Sequence, residues 1–409
     1  MSQQQGPIIV VSDDKQPAFM AALGADDTFP VIETTWHEAS RAVNELHPAI
    51  VLAAAKQSAD AELEALASQI ADIKPYLPLL VIEPKTGLPQ NAIAFSKGQG
   101  GWERLLPRLR AALRVRTLHT TVLRRQADLT ETAIAGIDPM GGATVLLVGR
   151  GGAYPALSVA FGERMGVVGA LSIEAAARHL NTRDIDGIVL GEGFTDRVIN
   201  AFLTVLAEDP RFRHLPVVTT LAGLMPSYDL ANLEVMPGDP VEVATNALPL
   251  IRQHAFEAFL SRTLRSIDAA GLLDPATGLL TNAAFDRDLA TAVRQTLAGG
   301  GGMSVARFAF DPASSLARFD GARLLSRLMR QMDFGTLYED GSALVVFAET
   351  DLRMAHAIAR RLYSVMRHTT YDQGARRNEP IVSVATLTPQ DTVQSLLLRL
   401  DDEARRAAS

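Results

Sequence analysis

The strongest constraint in this chain is an order of elements that occurs twice. Short continuous apolar runs ("PIIVV" at 7–11, "FPVIET" at 29–34, "PAIVLAAA" at 48–55, "LPLLVIEP" at 77–84) alternate with amphipathic stretches such as "WHEASRAVNEL" at 36–46. A strand without polar alternation is buried on both faces, and a parallel sheet covered by helices on either side provides that burial. The same order returns with "ATVLLVG" at 143–149, "VGALS" at 168–172, "IDGIVLGEGF" at 185–194 and "HLPVVTTLAG" at 214–223, separated by helical patterns. Repetition at a spacing of roughly a hundred residues indicates duplication of a whole domain rather than a short-period solenoid. Two flavodoxin-like, doubly wound parallel-sheet domains are therefore predicted.

The remaining third reads differently. After "LLDPATGLLTNAAFDRDLATAVRQ" (272–295) and a glycine run at 299–302 come a strand "MSVARFAF" and a helix "ARLLSRLMRQM". A hairpin centred on Asp340-Gly341 follows, then the helix "DLRMAHAIARRLYSVMRH", the strand "EPIVSVATL" and a closing helix. An Asp-Gly pair between apolar runs is a strong hairpin signal. The βαββαβ-like order predicts an antiparallel-containing, ferredoxin-like α+β domain. A chain of 409 residues suits two to four domains at roughly 100 to 200 residues each. The expected domains are 1–135, ending in a long helix, then 141–266 and 270–409.

Composition excludes several classes. The apolar fraction of 47% with 21% charged residues is that of a globular chain, and the net charge of −7 argues against a general nucleic-acid footprint. A local exception is the helix carrying Arg104, Arg108, Arg110, Arg114, Arg116, Arg124 and Arg125. It reads either as a contact for an acidic partner or DNA, or as a solvated face whose opposite apolar stripe packs on a partner subunit; no DNA partner is expected. The absence of cysteine excludes disulfides and Cys-ligated metal. "MSQQQGPIIVV" lacks a basic stretch followed by a long apolar run, and no segment offers about 18 uninterrupted apolar residues. A cytoplasmic protein without membrane insertion is expected.

The first two domains resemble receiver domains of two-component response regulators. In that family an acidic pair holds Mg²⁺, an Asp accepts phosphate, and a Ser or Thr and a Lys assist, because metal and lysine must neutralise the transferring phosphoryl group. The first domain keeps Asp13 and Asp14, which also read as a helix N-cap, and Lys97, but Ala54 falls at the acceptor and Glu83 at the hydroxyl position. The second has Gly149 and Arg150 for the acidic pair, Gly191 at the acceptor, Leu221 at the hydroxyl and Met236 at the lysine. Glu192 lies one residue beyond and reads as an imitation of a phosphorylated Asp or as a surface acid. Both are expected to be pseudo-receivers serving homodimerisation and docking.

The third domain is similar to GGDEF domains, the diguanylate cyclases that join two GTP molecules into cyclic di-GMP. Asp274, Thr277, Gly278, Leu279 and Phe285 match the family's D-x-L-T-G-L-x-N-R-R-x-F opening, whereas Ala276, Thr281, Asn282 and Ala283 depart. The stretch 330–350 aligns without a gap to the family's R-x-x-D, five-residue spacer, signature pentapeptide and following strand. With two receivers upstream, the layout resembles PleD-type response regulators. The resemblance implies two carboxylates that clamp Mg²⁺ for phosphoryl transfer. Asp311 suits the first, but Glu339-Asp340-Gly341-Ser342-Ala343 replaces Gly-Gly-Asp/Glu-Glu-Phe, so Gly341 and Ser342 hold the acidic positions. The stretch between Asp311 and Arg330 is shorter than the family's by roughly a dozen residues, and each lost charge-neutralising group is typically worth about 10²-fold. Asp320-Gly321 reads as the remnant of a guanine-binding segment, and Ala408 stands where the family carries a Lys.

One family site survives in type and spacing. Arg330-Gln331-Met332-Asp333 matches the product-inhibition motif, and continuing the register places Arg361, with Arg360 beside it, at the second arginine position. An arginine fork matches guanine O6 and N7, and a carboxylate accepts from the N1 and N2 edge. A helix-end salt bridge between Arg330 and Asp333 is the alternative. The expected protein is a non-catalytic cyclic di-GMP effector with protein partners, resembling PopA-type paralogues of that family, which implies polar localisation. It requires no cofactor, and Mg²⁺ is not expected to bind. The competing readings are a ligand-independent scaffold and a weakly active cyclase.

Overall fold

The computed structural model describes residues 6–14, 17–23, 30–54, 60–84, 88–97, 101–127, 142–222, 228–299, 301–371 and 376–408. From the amino end come β1 (Ile8–Val11), α1 (Met20–Leu23), β2 (Val31–Thr34), α2 (Trp36–Leu46), β3 (Ile50–Ala54), α3 (Asp60–Ala71), β4 (Leu79–Ile82), β5 (Ala92–Phe95) and α4 (Leu105–Ala127). A second alternation gives β6 (Thr144–Val148), α5 (Tyr154–Gly162), β7 (Gly166–Ala170), α6 (Ile173–Thr182), β8 (Gly187–Leu190), α7 (Asp196–Glu208), β9 (Val217–Thr219), β10 (Leu233–Val235) and α8 (Pro240–Asp268). Last are α9 (Asn282–Gly299), β11 (Met303–Ala309), α10 (Ser315–Leu328), β12 (Phe334–Leu337), β13 (Ser342–Ala348), α11 (Leu352–Met366), β14 (Thr369–Tyr371), β15 (Arg376–Arg377), β16 (Ile381–Thr386) and α12 (Val393–Ala408).

By compactness the chain forms two units: Met1–Thr132 with Gly149–Leu157 and Asp186–Glu257, and Ala133–Val148 with Ser158–Ile185 and Ala258–Ser409. The domain boundary expected between 135 and 141 lies outside the described residues. No helix among the described residues is long and apolar enough to cross a membrane.

In the first unit the strand order is β2-β1-β3-β4-β5, every pair parallel, the order of flavodoxin-like sheets. The continuous apolar runs explain it. Ile8, Val10, Leu52, Leu80 and Phe95 point to one face, against Phe19 and Leu23 and against Leu105, Leu109 and Ala112 of α4. Ile9, Val11, Val51, Ala53 and Val81 point to the other, against Trp36, Ala39 and Val43 of α2 and Leu66 and Ile70 of α3. A period of two therefore buries all of β1, β4 and β5 and all of β3 but its last residue, Ala54. The same unit holds β8, β9 and β10, parallel in the order β10-β9-β8.

Helix α4 departs from expectation. Arg108 is neither on a solvated face nor on a partner surface: it is fully buried, and its guanidinium donates to the carbonyls of Ala231 (2.8 Å) and Ala94 (3.3 Å) and to Glu234 Oε1 (2.7 Å). Arg104 lies 3.9 Å from the same carboxylate, Arg114 pairs with Glu257, and Arg116 donates to the carbonyls of Pro75 and Tyr76. Donors held in a fixed fork and met by carbonyls and one carboxylate make the burial of Arg108 tolerable. Burial still pushes the Glu234 carboxyl up, against the pull of Arg108 and Arg104.

In the second unit β11, β12, β13 and β16 form an antiparallel sheet in the order β12-β13-β11-β16. Ala306, Phe308, Val345 and Phe347 pack on α10 and α11, and Val305, Leu344 and Val346 pack on α9 and α12, which is the α+β arrangement expected. The same unit contains β6 and β7, which run parallel, and a two-stranded addition the sequence did not announce. β14 pairs antiparallel with β7 (Thr369 opposite Val168, Thr370 opposite Val167), and β15 pairs with β14. Strands of two and three residues are too short to show a period.

Candidate functional site

The β12–β13 hairpin carries both positions of interest. At its tip Gly341 N donates to Tyr338 O (3.1 Å) and Tyr338 N to Ser342 O (2.8 Å), so the loop has three residues, Glu339 to Gly341, rather than two. Gly341 has φ +84°, the left-handed glycine that closes such loops. A Cβ there would stand 3.2 Å from Arg318 Cδ and 3.4 Å from the carbonyl of Phe310, so the position is doubly restricted to glycine. Asp340 Oδ1 accepts from the backbone N–H (2.8 Å) and Oγ (2.6 Å) of Ser342, while Oδ2 pairs with Arg307 (2.9 Å). Burial works against ionisation of Asp340, but the Ser342 donors and Arg307 hold its pKa below the usual carboxylate range. Arg307 also pairs with Asp401 of α12 (2.5 Å), pinning the tip to the sheet.

Asp311 follows β11, beside the tip: Phe310 N donates to the carbonyl of Gly341 (3.0 Å). Its Oδ1 accepts from Ala313 N (2.9 Å) and its Oδ2 lies 3.3 Å from Arg376 of β15. The resemblance expects a second carboxylate near Asp311 and aligns it with Gly341, whose carbonyl here accepts from Phe310 N. Among the described residues no group of three or more His, Cys, Asp or Glu is arranged to hold a metal ion.

The shoulder of the hairpin is built differently. α10 ends at Leu328, and the turn 330–333 closes through Asp333 N donating to Arg330 O (3.0 Å). Asp333 is buried; Oδ2 accepts from Arg330 N and Oδ1 from Ala348 N, each at 3.2 Å. Its carboxylate thus ties the turn to the end of β13 rather than forming a helix-end salt bridge. Arg330 is exposed, and among the described residues its guanidinium has neither an ion pair nor a hydrogen bond. Arg360 and Arg361 are exposed on α11, Arg360 Nε donating to His356 O (3.3 Å). Leu328 and Met329, next to Arg330, pack on the same core as Ile358 and Leu362. Turn and helix are thereby held against one another.

The strand ends of the parallel sheets complete the set. Asp13 and Asp14 are exposed, and α1 begins only at Met20, so neither is its N-cap. Lys97 Nζ sits over the Trp102 ring (5.6 Å) while its backbone N–H donates to Glu83 (2.7 Å); Ala54 ends β3. After β8 the loop bearing Glu192 packs closely on Gly149 and Gly151. A Cβ on Gly149 would lie 3.3 Å from the Glu192 carbonyl, and one on Gly151 2.6 Å from Glu192 Cβ. Arg150 and Gly151 both donate backbone N–H groups to Glu192 O, and Arg150 caps the loop through Gly193 O (2.8 Å) and the Phe194 ring. Gly191 is buried and the Glu192 residue exposed, while Leu221 and Met236 follow β9 and β10, their backbone N–H groups donating to Thr219.

Asp320 is buried, 3.3 Å from Arg183 and accepting from Asn378 (3.0 Å). Gly321 is required because a Cβ would lie 2.2 Å from the Phe310 ring. Arg307, Arg376 and Arg183 went unnoticed from sequence, since a lone arginine in a strand or at a helix end carries no periodic signal.

No family model matches the chain, and no curated protein matches it. Among solved structures, it is similar to the GGDEF domain with coiled coil of DgcB from Caulobacter crescentus, in complex with c-di-GMP (14% identity, 36% of this chain, 86% of that chain, TM-score 0.32). It is also similar to the FimX GGDEF domain from Pseudomonas aeruginosa (20%, 34% and 93%, TM-score 0.29) and to the diguanylate cyclase SiaD with its activator SiaC from the same organism (17%, 36% and 64%, TM-score 0.31).

Proposed function

We propose that this chain is a non-catalytic cyclic di-GMP effector that acts through protein–protein contacts. The dinucleotide would be held at Arg330 and Asp333, with Arg361 and its neighbour Arg360 supplied by α11. The observation that carries this reading is the division of labour at the shoulder. Asp333 is fixed by two backbone N–H groups while the adjacent guanidinium is left unoccupied among the described residues, which is how a fork is presented to a guanine edge without an internal partner to displace. A carboxylate oxygen carries further lone pairs, so Asp333 can accept from guanine while keeping both backbone bonds.

Retained cyclase activity is disfavoured by the residues at the tip. Gly341 and Ser342 offer no carboxylate, Asp340 is committed to Ser342 and Arg307, and Asp311 lies beside Arg376. The two α/β regions, with Ala54 and Gly191 at the acceptor positions, would serve as docking and dimerisation platforms rather than phosphorylation sites.

Titration of the full chain with cyclic di-GMP by calorimetry tests the reading. Saturable binding that weakens at least about fivefold in Arg330→Ala supports it, and absence of heat at micromolar ligand ends it. Incubation with GTP and Mg²⁺ or Mn²⁺ at high protein concentration should yield no dinucleotide, and acetyl phosphate should leave the protein's mass unchanged.

A further inference from the structure

We infer that α6 and the segment joining α11 to β14 form a separate binding site for a phosphate-bearing anion, built from His179, His368, Arg178 and Arg377. The pairing of β14 with β7 sets α6 beside the end of α11. There the His179 and His368 rings meet edge to face with centroids 5.2 Å apart. At the end of α6, Arg183 is buried; it pairs with Asp320 (3.3 Å), also donates to Thr369 Oγ1 and the carbonyl of Val365, and its Nε has no partner among the described residues.

Charge accumulates here on a chain that is acidic overall. Four guanidinium groups, those of Arg178, Arg183, Arg367 and Arg377, act on the two imidazoles. Two are offset: Arg183 by Asp320, and Arg367 by Glu379 at 2.8 Å. Arg178 and Arg377 are exposed and form no ion pair among the described residues, although Glu174, one turn earlier on α6, feels the charge of Arg178. Burial, then Arg183, His368 and Arg178, pushes His179 down to about 4; burial, then Arg183, Arg178, Arg377 and Arg367, lowers His368. At neutral pH the site therefore holds two uncharged imidazoles among cations.

A bound dianion reverses that balance, because its charge favours protonation of both rings and turns each into a charged donor. Four cationic or protonatable donors carried by α6, the turn before β14 and β15 around the His179–His368 contact suit a dianion with several acceptor oxygens.

The test follows the imidazole C2–H signals of the full chain by NMR, assigned with His179→Gln and His368→Gln, during titration with inorganic phosphate, cyclic di-GMP or chloride. Phosphate should raise the pKa of both rings towards the ordinary range, chloride should not, and Arg178→Ala with Arg377→Ala should weaken the response at least about tenfold. Arg377→Gln alone serves if the double variant melts early. The inference is overturned if ~10 mM phosphate leaves both signals unmoved, or if the arginine variants respond like the parent. It is also overturned if only cyclic di-GMP moves the rings and Arg330→Ala abolishes that effect, which would make the cluster part of the dinucleotide site. Loss of cyclic di-GMP binding alone leaves it standing.

Discussion

At the tip of the β12–β13 hairpin, Asp340 uses its carboxylate on Ser342 and Arg307; at the shoulder, Asp333 uses its own on the backbone of Arg330 and Ala348. Both carboxylates are satisfied, but only the tip satisfies its cation as well. Arg307 has two acidic partners, whereas the Arg330 guanidinium has none among the described residues. The difference is one of preorganisation. A turn whose charges close on themselves is a structural device, and a turn that fixes its acid with backbone donors while leaving its arginine uncommitted is ready for a ligand.

That contrast can be broken most sharply at Arg330. Arg330→Ala removes one bidentate contact, about 1–3 kcal/mol or ~5- to 150-fold in affinity for cyclic di-GMP. It should leave the melting temperature unchanged, because the guanidinium has no partner among the described residues to lose; a melting temperature that falls with it would mean the arginine is structural. At the tip the expectation is inverted. Gly341→Asp, which would supply the missing acid, forces an L-residue to φ +84° at a cost of about 1–2 kcal/mol. It should lower stability in a denaturant melt without producing any dinucleotide from GTP. Asp340→Ala removes the Ser342 and Arg307 contacts and should cost ~0.5–1.5 kcal/mol while leaving calorimetric binding intact. Coupled loss of binding would join the two ends into one site.

The smallest expected effect is on pH dependence. His179 sits at about 4 in the folded protein, against an ordinary value near 6.5. The folded chain therefore binds this proton less readily than the unfolded one. The stability contribution is complete above about pH 6.5 and declines as pH falls towards 4. His179→Gln should flatten the melting temperature over that window in a buffer free of phosphate; an unchanged slope would refute the assignment.

Much of the fold was legible because burial on both faces leaves a direct mark. Ile8 to Val11 and Leu79 to Ile82 are apolar without interruption, and each lies in a parallel sheet between two helical layers. The Asp340-Gly341 hairpin was equally visible, although the pair alone does not distinguish a two-residue loop from the three-residue loop closed by Gly341. Arg108 was misread, since a charged residue in an amphipathic helix signals solvent, and only the three-dimensional arrangement brings Glu234 and two carbonyls to it. At the shoulder the residue types were legible, but the anchoring of Asp333 by Ala348 joins residues 15 apart in sequence and leaves no local trace. The His179–His368 pair was invisible for the same reason, its members being carried together by strands too short to recognise.

The pairing of β14 with β7 has a consequence for synthesis. Thr370 reaches the carbonyl of Val167 across 203 residues of chain. At ribosomal speeds of about 5–20 residues per second, the outer edge of β7 therefore waits ~10–40 s for its neighbour. During that interval an unpaired strand edge is exposed, which is a template for misassociation. Ribosome-bound chains stopped before residue 369 should accordingly be more readily cleaved or aggregated around 166–170 than chains stopped beyond residue 409 by a linker, and equal behaviour of the two would show that the edge is protected by other means.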